Sequence, residues 1–503
     1  MTLTADAPAI TDEEQLKTFD SFNPTTGDVY ATYPIDDAAA VQAAVGRARE
    51  AADWWAGLGF KGRGKYLDQW RAVLARRMNQ LADVVYAETG KPHGDAALEV
   101  GMAIEHLAWA SKHAKKVLGK RHVSSGLVMV NQRATVEYLP RGVVGVIGPW
   151  NYPVFTPMGS IAYALAAGNT VVFKPSEFSP AIGTWLVDAF HEVLPDHDVL
   201  QIVRGFGETG NALCTSGVDK LAFTGSTRTG KKVMAACAET LTPVVIEAGG
   251  KDSIIVDADA DVDKAAEAAA WGAFWNAGQT CIGIERAYVH EKVYDRFVDK
   301  LVEQAQAVKP GVDYGPMTMP AQVDVIRKHI DDAIARGGKA LTGGQVTDGF
   351  IPATVLVDVP EDALAVTDET FGPTITVRKV KSAQEAVDLT NASEYGLGSA
   401  VFSKKNGTRI ADKIRSGMTA VNAVLVYAAI PSLPFGGVGQ SGIGRIHGED
   451  GLREFAQPKS VVKQLMPAAL NVTSFERGAT EDKLWGTLIL TLHGRANQFL
   501  KKK

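Results

Sequence analysis

The sequence predicts an α/β protein with two blocks in which strands and helices alternate. Three observations carry this. Short apolar runs each close on Gly, Pro or Ser: VVGVIGP (143–149), TVVFKPS (170–176), LQIVRG (200–205), KLAFTGS (220–226) and PVVIEAGG (243–250). Helix-like segments such as MGSIAYALAAG and SPAIGTWLVDAFHEVL lie between them. At 503 residues, the chain is also too long for one hydrophobic core and should divide into two or three domains. Such alternation builds a parallel sheet covered on both faces. Ligands of these sheets sit at the carboxyl ends of the strands.

The elements follow in order. The first fifteen residues are polar and read as loose. From Ala38 to about Gln80, apolar residues recur three and four apart, which predicts helices, and Gly90 follows the last turn. A third helix is expected from about Asp95 to Val117. GLVMVNQRATVEYLP (126–140) alternates like a hairpin. The five strands above come next. SIIVDADADVDKAAEAAAWGAFWNAG and ERAYVHEKVYDRFVDKLVEQAQAV then repeat the strand-to-helix order, and ITVRKVKSAQEAVDLTNAS and SAVFSKK continue it. A second α/β domain is therefore placed at 249–440, with a boundary set by composition.

The totals exclude some functions. A net charge of −5 gives no electrostatic reason to expect nucleic acid. Three cysteines, Cys214, Cys237 and Cys281, suit a reducing compartment. With no basic and apolar leader at its start, the chain is expected to be cytoplasmic. DKLWGTLILTLHGRANQFLKKK (482–503) reads first as a helix packed on the body or on another subunit. Its alternative is a peripheral helix on an anionic membrane.

Several residues point to chemistry. GSTRTG (225–230) follows a strand and opens a helix. There the backbone can approach a phosphate and the helix N-terminus supplies donors. An ordinary glycine-rich turn has the same form, and the motif is not GxGxxG. In KPSE (174–177), a lysine and a glutamate end another strand. They could hold ribose hydroxyls or form a solvated pair. A carboxylate on the 2′-hydroxyl would favour NAD and disfavour NADP. Cys281, in NAGQTCIG, follows a helix that ends near Gly278 and so lies on a connection. An incidental cysteine is the alternative; Cys214 and Cys237 read as packing residues with no role. Glu247 closes an apolar run, which is costly unless the carboxylate is used or paired. Asn151, in GPWNYP, could donate to an oxyanion or only shape a turn.

Together GPWNYP, AGNTVVFKPSE, FTGSTRTGKKV, VIEAGGK, NAGQTC, ETFGP (369–373) and PFGGVGQSGIGR (434–445) match a family in order and spacing. The chain resembles the NAD(P)-dependent aldehyde dehydrogenase superfamily over nearly its whole length. The resemblance implies a Rossmann-type cofactor domain (1–125 and 140–248) and an α/β catalytic domain (249–440). A small β oligomerisation extension with the tail (126–139 and 441–503) completes it. Cys281 matches the nucleophile, Glu247 the general base and Asn151 the oxyanion donor. Ile147, Pro149, Trp150, Lys174, Ser176, Glu177, Gly207, Gly225, Ser226, Gly230, Glu369 and Phe371 match cofactor contacts. Tyr152, Thr280, Ile282 and Phe435 match the substrate tunnel. No metal is implied. The partners implied are a small-molecule aldehyde and further copies of the chain, as dimer or tetramer.

The implied reaction is NAD-dependent oxidation of an aldehyde to a carboxylate through a thiohemiacetal and a thioester on Cys281. A semialdehyde-specific enzyme is the alternative; transfer of the acyl group to coenzyme A and a non-catalytic binding protein rank below it. Two positions depart from the family pattern. Ala248 stands where ELGGK is more usual. Gly159 stands where relatives carry a bulky aromatic, which suggests a roomier tunnel entrance.

Overall fold

The computed structural model describes residues 17–346, 349–468, 470 and 472–494. The N-terminal segment read as loose and the three terminal lysines lie outside the described residues.

Two sheets position the site. The first has six strands, in the order Gly442–Ile443, Val244–Ala248, Lys220–Gly225, Val143–Ile147, Thr170–Lys174 and Leu200–Ile202. Its five longer-range neighbours pair in parallel, and they are the five apolar runs of the sequence. Gly442–Ile443 closes one edge antiparallel. The second has seven strands, with Asp252–Val256 between Ile284–His290 and Ser399–Phe402. All its pairs are parallel except Lys339–Thr342 with Thr354–Val357.

Each sheet owes its core to apolar stripes on the covering helices. Helix Ala38–Gly57 buries Val41, Ala44, Val45 and Ala48 against Val143, Val172 and Leu221 of the first sheet. The three-and-four spacing of those residues puts them on one face. Helix Val262–Phe274 does the same for the second sheet with alanines, which allow close approach to the strands. Helix Phe155–Ala167 is buried along its whole length, as its continuous apolar text requires.

By contacts, the chain forms one large unit, Met1–Leu118 with Leu139–Gln457, and a small one, Gly119–Tyr138 with Pro458–Lys503. The hairpin expected across 126–140 starts earlier. Arg121–Val123 pairs antiparallel with Ala134–Val136, and the residues between form the turn. Leu127 and Val130, whose alternation suggested a strand, sit exposed in that turn. Ala456–Gln464 adds the third strand. Ala479–His493 is a helix with no buried residue. No helix among the described residues is long and apolar enough to cross a membrane. A peripheral membrane contact through this tail has no support in the structure. The strands Thr18–Phe22 and Val29–Pro34 form a further antiparallel pair.

Candidate active site

Cys281 follows a tight connection. Helix Val262–Phe274 runs into a short 3-10 turn at Trp275–Gly278. Gly278 has φ +68, and a Cβ there would lie 2.0 Å from the Gly372 carbonyl oxygen, so only glycine fits. Gln279 locks the next step. Its Nε2 donates to Asn276 O (3.0 Å), and its Oε1 accepts from Thr318 N (2.9 Å). The Cys281 thiol is thereby delivered to a cavity of about 900 Å³.

Glu247 reaches the same cavity from the penultimate position of strand Val244–Ala248. Neither carboxylate oxygen has a hydrogen-bond acceptor or donor partner in the structure among the described residues. Burial pushes this carboxyl up to about 7, against smaller pulls downward from Cys281 and Thr224. Burial also raises the Cys281 thiol well above its ordinary value, and the neighbouring Glu247 raises it further. A carboxyl pushed up to about 7 can take and release a proton near neutral pH.

Asn151 lies on the loop after strand Val143–Ile147 and also borders the cavity. Its Nδ2 donates to Gln279 O (2.9 Å), two residues before Cys281. A side-chain amide carries two N–H groups, so a second remains for a ligand in the cavity.

The rest of the wall suits a dinucleotide. Ile147, Pro149, Trp150, Lys174, Ser176, Glu177, Gly207, Gly225, Ser226, Glu369 and Phe371 all border the cavity. Ser226 caps helix Thr227–Ala238 and accepts from Thr229 N (3.3 Å), so the helix N-terminus opens at the wall. The Lys174 ammonium is buried, which lowers its pKa, while the nearby Glu177 raises it. A Cβ on Gly249 would come within 2.1 Å of both Glu369 oxygens. Glu369 Oε1 instead accepts from Gly250 N (3.0 Å), and burial holds this carboxyl well above its ordinary range. Phe371 has φ +53 and meets Trp150 edge-on, with ring centroids 5.5 Å apart. Glu285 fixes this corner. It accepts from Thr370 N (2.9 Å) and Phe371 N (2.9 Å) and pairs with Lys251.

Gly230, expected as a cofactor contact, and Tyr152, Thr280, Ile282 and Phe435, expected along the substrate tunnel, do not border this cavity. Gly230 is one turn into its helix and packs toward Ile246 and Phe223. Tyr152 OH and Thr280 Oγ1 share a hydrogen bond (2.8 Å), and Tyr152 packs against Trp275. Ile282 and Phe435 are buried, and Phe435 packs against His447. The roomier entrance expected at Gly159 is not there. A Cβ on Gly159 would lie 2.4 Å from His447 Nε2, so the imidazole fills the space. This histidine sits 288 positions away in the chain and could not be linked to Gly159 from one sequence. Its backbone (φ 64, ψ 166) lies in a region that strongly favours glycine.

Further residues complete the wall. Thr156, Asn211, Arg228, Lys232 and Gln322 border the cavity, as does Cys214, to which no role was given. Arg228 lies inside GSTRTG, Lys232 lies four residues beyond Arg228 on the same helix, and that i,i+4 spacing of two cations was the available signal.

The aldehyde dehydrogenase family model matches residues 10–461. The chain belongs to the aldehyde dehydrogenase family. It is 35% identical over 501 residues to 4,4'-diapolycopene aldehyde oxidase of Methylomonas sp, covering 96% of this chain and 94% of that protein. It is 34% identical over 459 residues to glutarate-semialdehyde dehydrogenase of Pseudomonas putida, covering 89% of this chain and 95% of that protein. Among solved structures, it superposes on aldehyde dehydrogenase from Brucella melitensis biovar abortus 2308 with a TM-score of 0.86 at 32% identity, covering 90% of this chain and 95% of that one. The protein is an oxidoreductase of mixed α/β fold with parallel sheets.

Proposed function

We propose that this dehydrogenase oxidises an aldehyde to its carboxylate through covalent intermediates on Cys281. One observation carries the reading: the Cys281 thiol, the Glu247 carboxyl and the Asn151 amide border a single cavity whose other wall suits a dinucleotide. When bound, the nicotinamide ring takes up the hydride. The chain's residues do the rest. Cys281 gives up its proton to water in the cavity, its thiolate sulfur adds to the carbonyl carbon, and Asn151 Nδ2 with the Cys281 backbone N–H donates to the oxygen that gains charge. After oxidation, the acyl group is a thioester on Cys281. Glu247 takes a proton from water as that water attacks the thioester, and sulfur departs. Cysteine suits both halves because it attacks and leaves readily.

Glu177 supports NAD as the cofactor, since a carboxylate accepts from a ribose hydroxyl and repels a 2′-phosphate. Arg228 and Lys232 on the same cavity wall support NADP, so the two are compared directly. The substrate is a small aldehyde. A semialdehyde is the second reading, favoured by the Pseudomonas relative. The protein self-associates as its family does, through the small unit and its C-terminal strand.

The test is a panel of aliphatic, aromatic and carboxylate-bearing aldehydes with each cofactor, with and without coenzyme A. Reduced cofactor should form with at least one aldehyde and no coenzyme A. Cys281→Ala should abolish it. Turnover retained in that variant rejects the nucleophile.

A further inference from the structure

We propose that Lys91 and Glu99 form a buried clamp that positions Asn151, and so set the alignment of the oxyanion donor. This rests on the oxyanion role given to Asn151 above.

The loop from Trp150 to Val154 leads into helix Phe155–Ala167, which has no side-chain cap of its own. Its first amides therefore need partners from elsewhere. Glu99, on helix His93–Leu118, supplies them from 55 residues away. Its Oε1 accepts from Val154 N (2.8 Å) and Phe155 N (3.1 Å). A lone carboxylate at this depth would be costly. Lys91 pairs with Glu99 Oε2, and both side chains are fully buried.

The rest of the ammonium points at the same loop. Lys91 Nζ donates to the backbone carbonyl of Asn151 (3.0 Å) and lies over the Tyr152 ring, 4.1 Å from its centroid. The carboxylate thus grips the end of the loop and the ammonium grips its middle. A pair serving only to cap the helix would have no need to touch residue 151. Asn276 Nδ2 also donates to that carbonyl (3.2 Å), and Asn151 Nδ2 donates to Gln279 O (2.9 Å). Asn151 is therefore held from the clamp on one side and from the Cys281 connection on the other. Misplacement of a catalytic group by about 1 Å can cost on the order of 100-fold in rate. None of Lys91, Glu99 or Tyr152 borders the dinucleotide wall, so cofactor affinity is a separate readout.

The experiment is a double-mutant cycle between clamp and donor. Lys91→Met alone would leave a buried charge and could unfold the protein, so the clamp is removed as the neutral pair Lys91→Met with Glu99→Gln. Neutral replacement of a buried ion pair is often tolerated. Thermal unfolding and calorimetric titration of NAD+ check the fold and the cofactor wall. The clamp variant should lose ~10- to 100-fold in kcat, with the Kd for NAD+ and the aldehyde KM each within about threefold of wild type. In an Asn151→Ala background, the same two substitutions should cost less than about threefold more, because the donor they align is gone. Wild-type kcat in the clamp variant overturns the proposal. So does an equal loss in both backgrounds, which marks general damage, or a folded clamp variant that no longer binds NAD+. Wild-type kcat in Asn151→Ala alone overturns the oxyanion role on which the clamp rests, and identifies that as the point of failure.

Discussion

The pH dependence of turnover tests the base assignment most directly. Burial moves the Glu247 carboxyl from 4.5 up to about 7. A base must be ionised to act, so its active fraction is about one tenth at a pH near 6 and about nine tenths at a pH near 8. Where thioester hydrolysis limits turnover, the steady-state rate should climb roughly ninefold between those values and then level. An ordinary solvated glutamate would already be almost fully ionised at the lower pH, and the rate would stay flat. The assay is stopped-flow formation of reduced cofactor. The burst reports attack by Cys281 and hydride loss; the later linear phase reports hydrolysis. Glu247→Gln should keep the burst and lower the linear phase by ~100- to 10,000-fold. A linear phase that ignores pH, or one that survives the substitution at wild-type rate, refutes the reasoning.

Two further outcomes follow from the cavity's surroundings. Gly249→Ala would place a Cβ 2.1 Å from both Glu369 oxygens and force that carboxylate away. Cofactor affinity should fall at least ~10-fold, the value of one hydrogen bond to a charged group, while Cys281 alkylation by iodoacetamide keeps its rate; unchanged affinity in a calorimetric titration would contradict it. Asp252 is buried, with its carboxyl pushed from 3.8 up to about 8 by desolvation. The folded state holds this proton more tightly than the unfolded chain does. Its effect is therefore absent below about pH 4 and grows as a loss of stability up to about pH 8. Asp252→Asn should raise Tm at pH near 8, by at most the equivalent of ~5 kcal/mol, and leave it unchanged near pH 4. Equal shifts at both values would count against the buried charge.

The strand-end residues were legible because an apolar run that stops at a polar or glycine residue marks both the sheet and its working edge. Glu247, Lys174 and Gly225 stand at such stops, whereas Cys281 follows the turn that ends a helix. What stayed hidden depends on residues far apart in sequence. Glu99 reads as one polar position of an amphipathic helix until it meets Val154 and Phe155. No space is left beside Gly159, because the His447 imidazole from the C-terminal segment fills it. Gly230, the last glycine of GSTRTG, has already turned into the helix and faces the sheet, which the motif alone does not reveal. Strand Thr18–Phe22 buries Phe19 and Ser21 in strict alternation, but one of the two is a serine and the apolar Phe22 is exposed, so the period does not show in its apolar residues.

The raised thiol at Cys281 has a consequence outside turnover. Electrophiles and peroxides consume the anion of sulfur far faster than its protonated form. A cysteine whose surroundings keep its proton in place is chemically quiet while it waits, although it opens onto a large cavity. Idle molecules of this dehydrogenase should therefore survive oxidants that would quickly disable one carrying a permanently ionised sulfur.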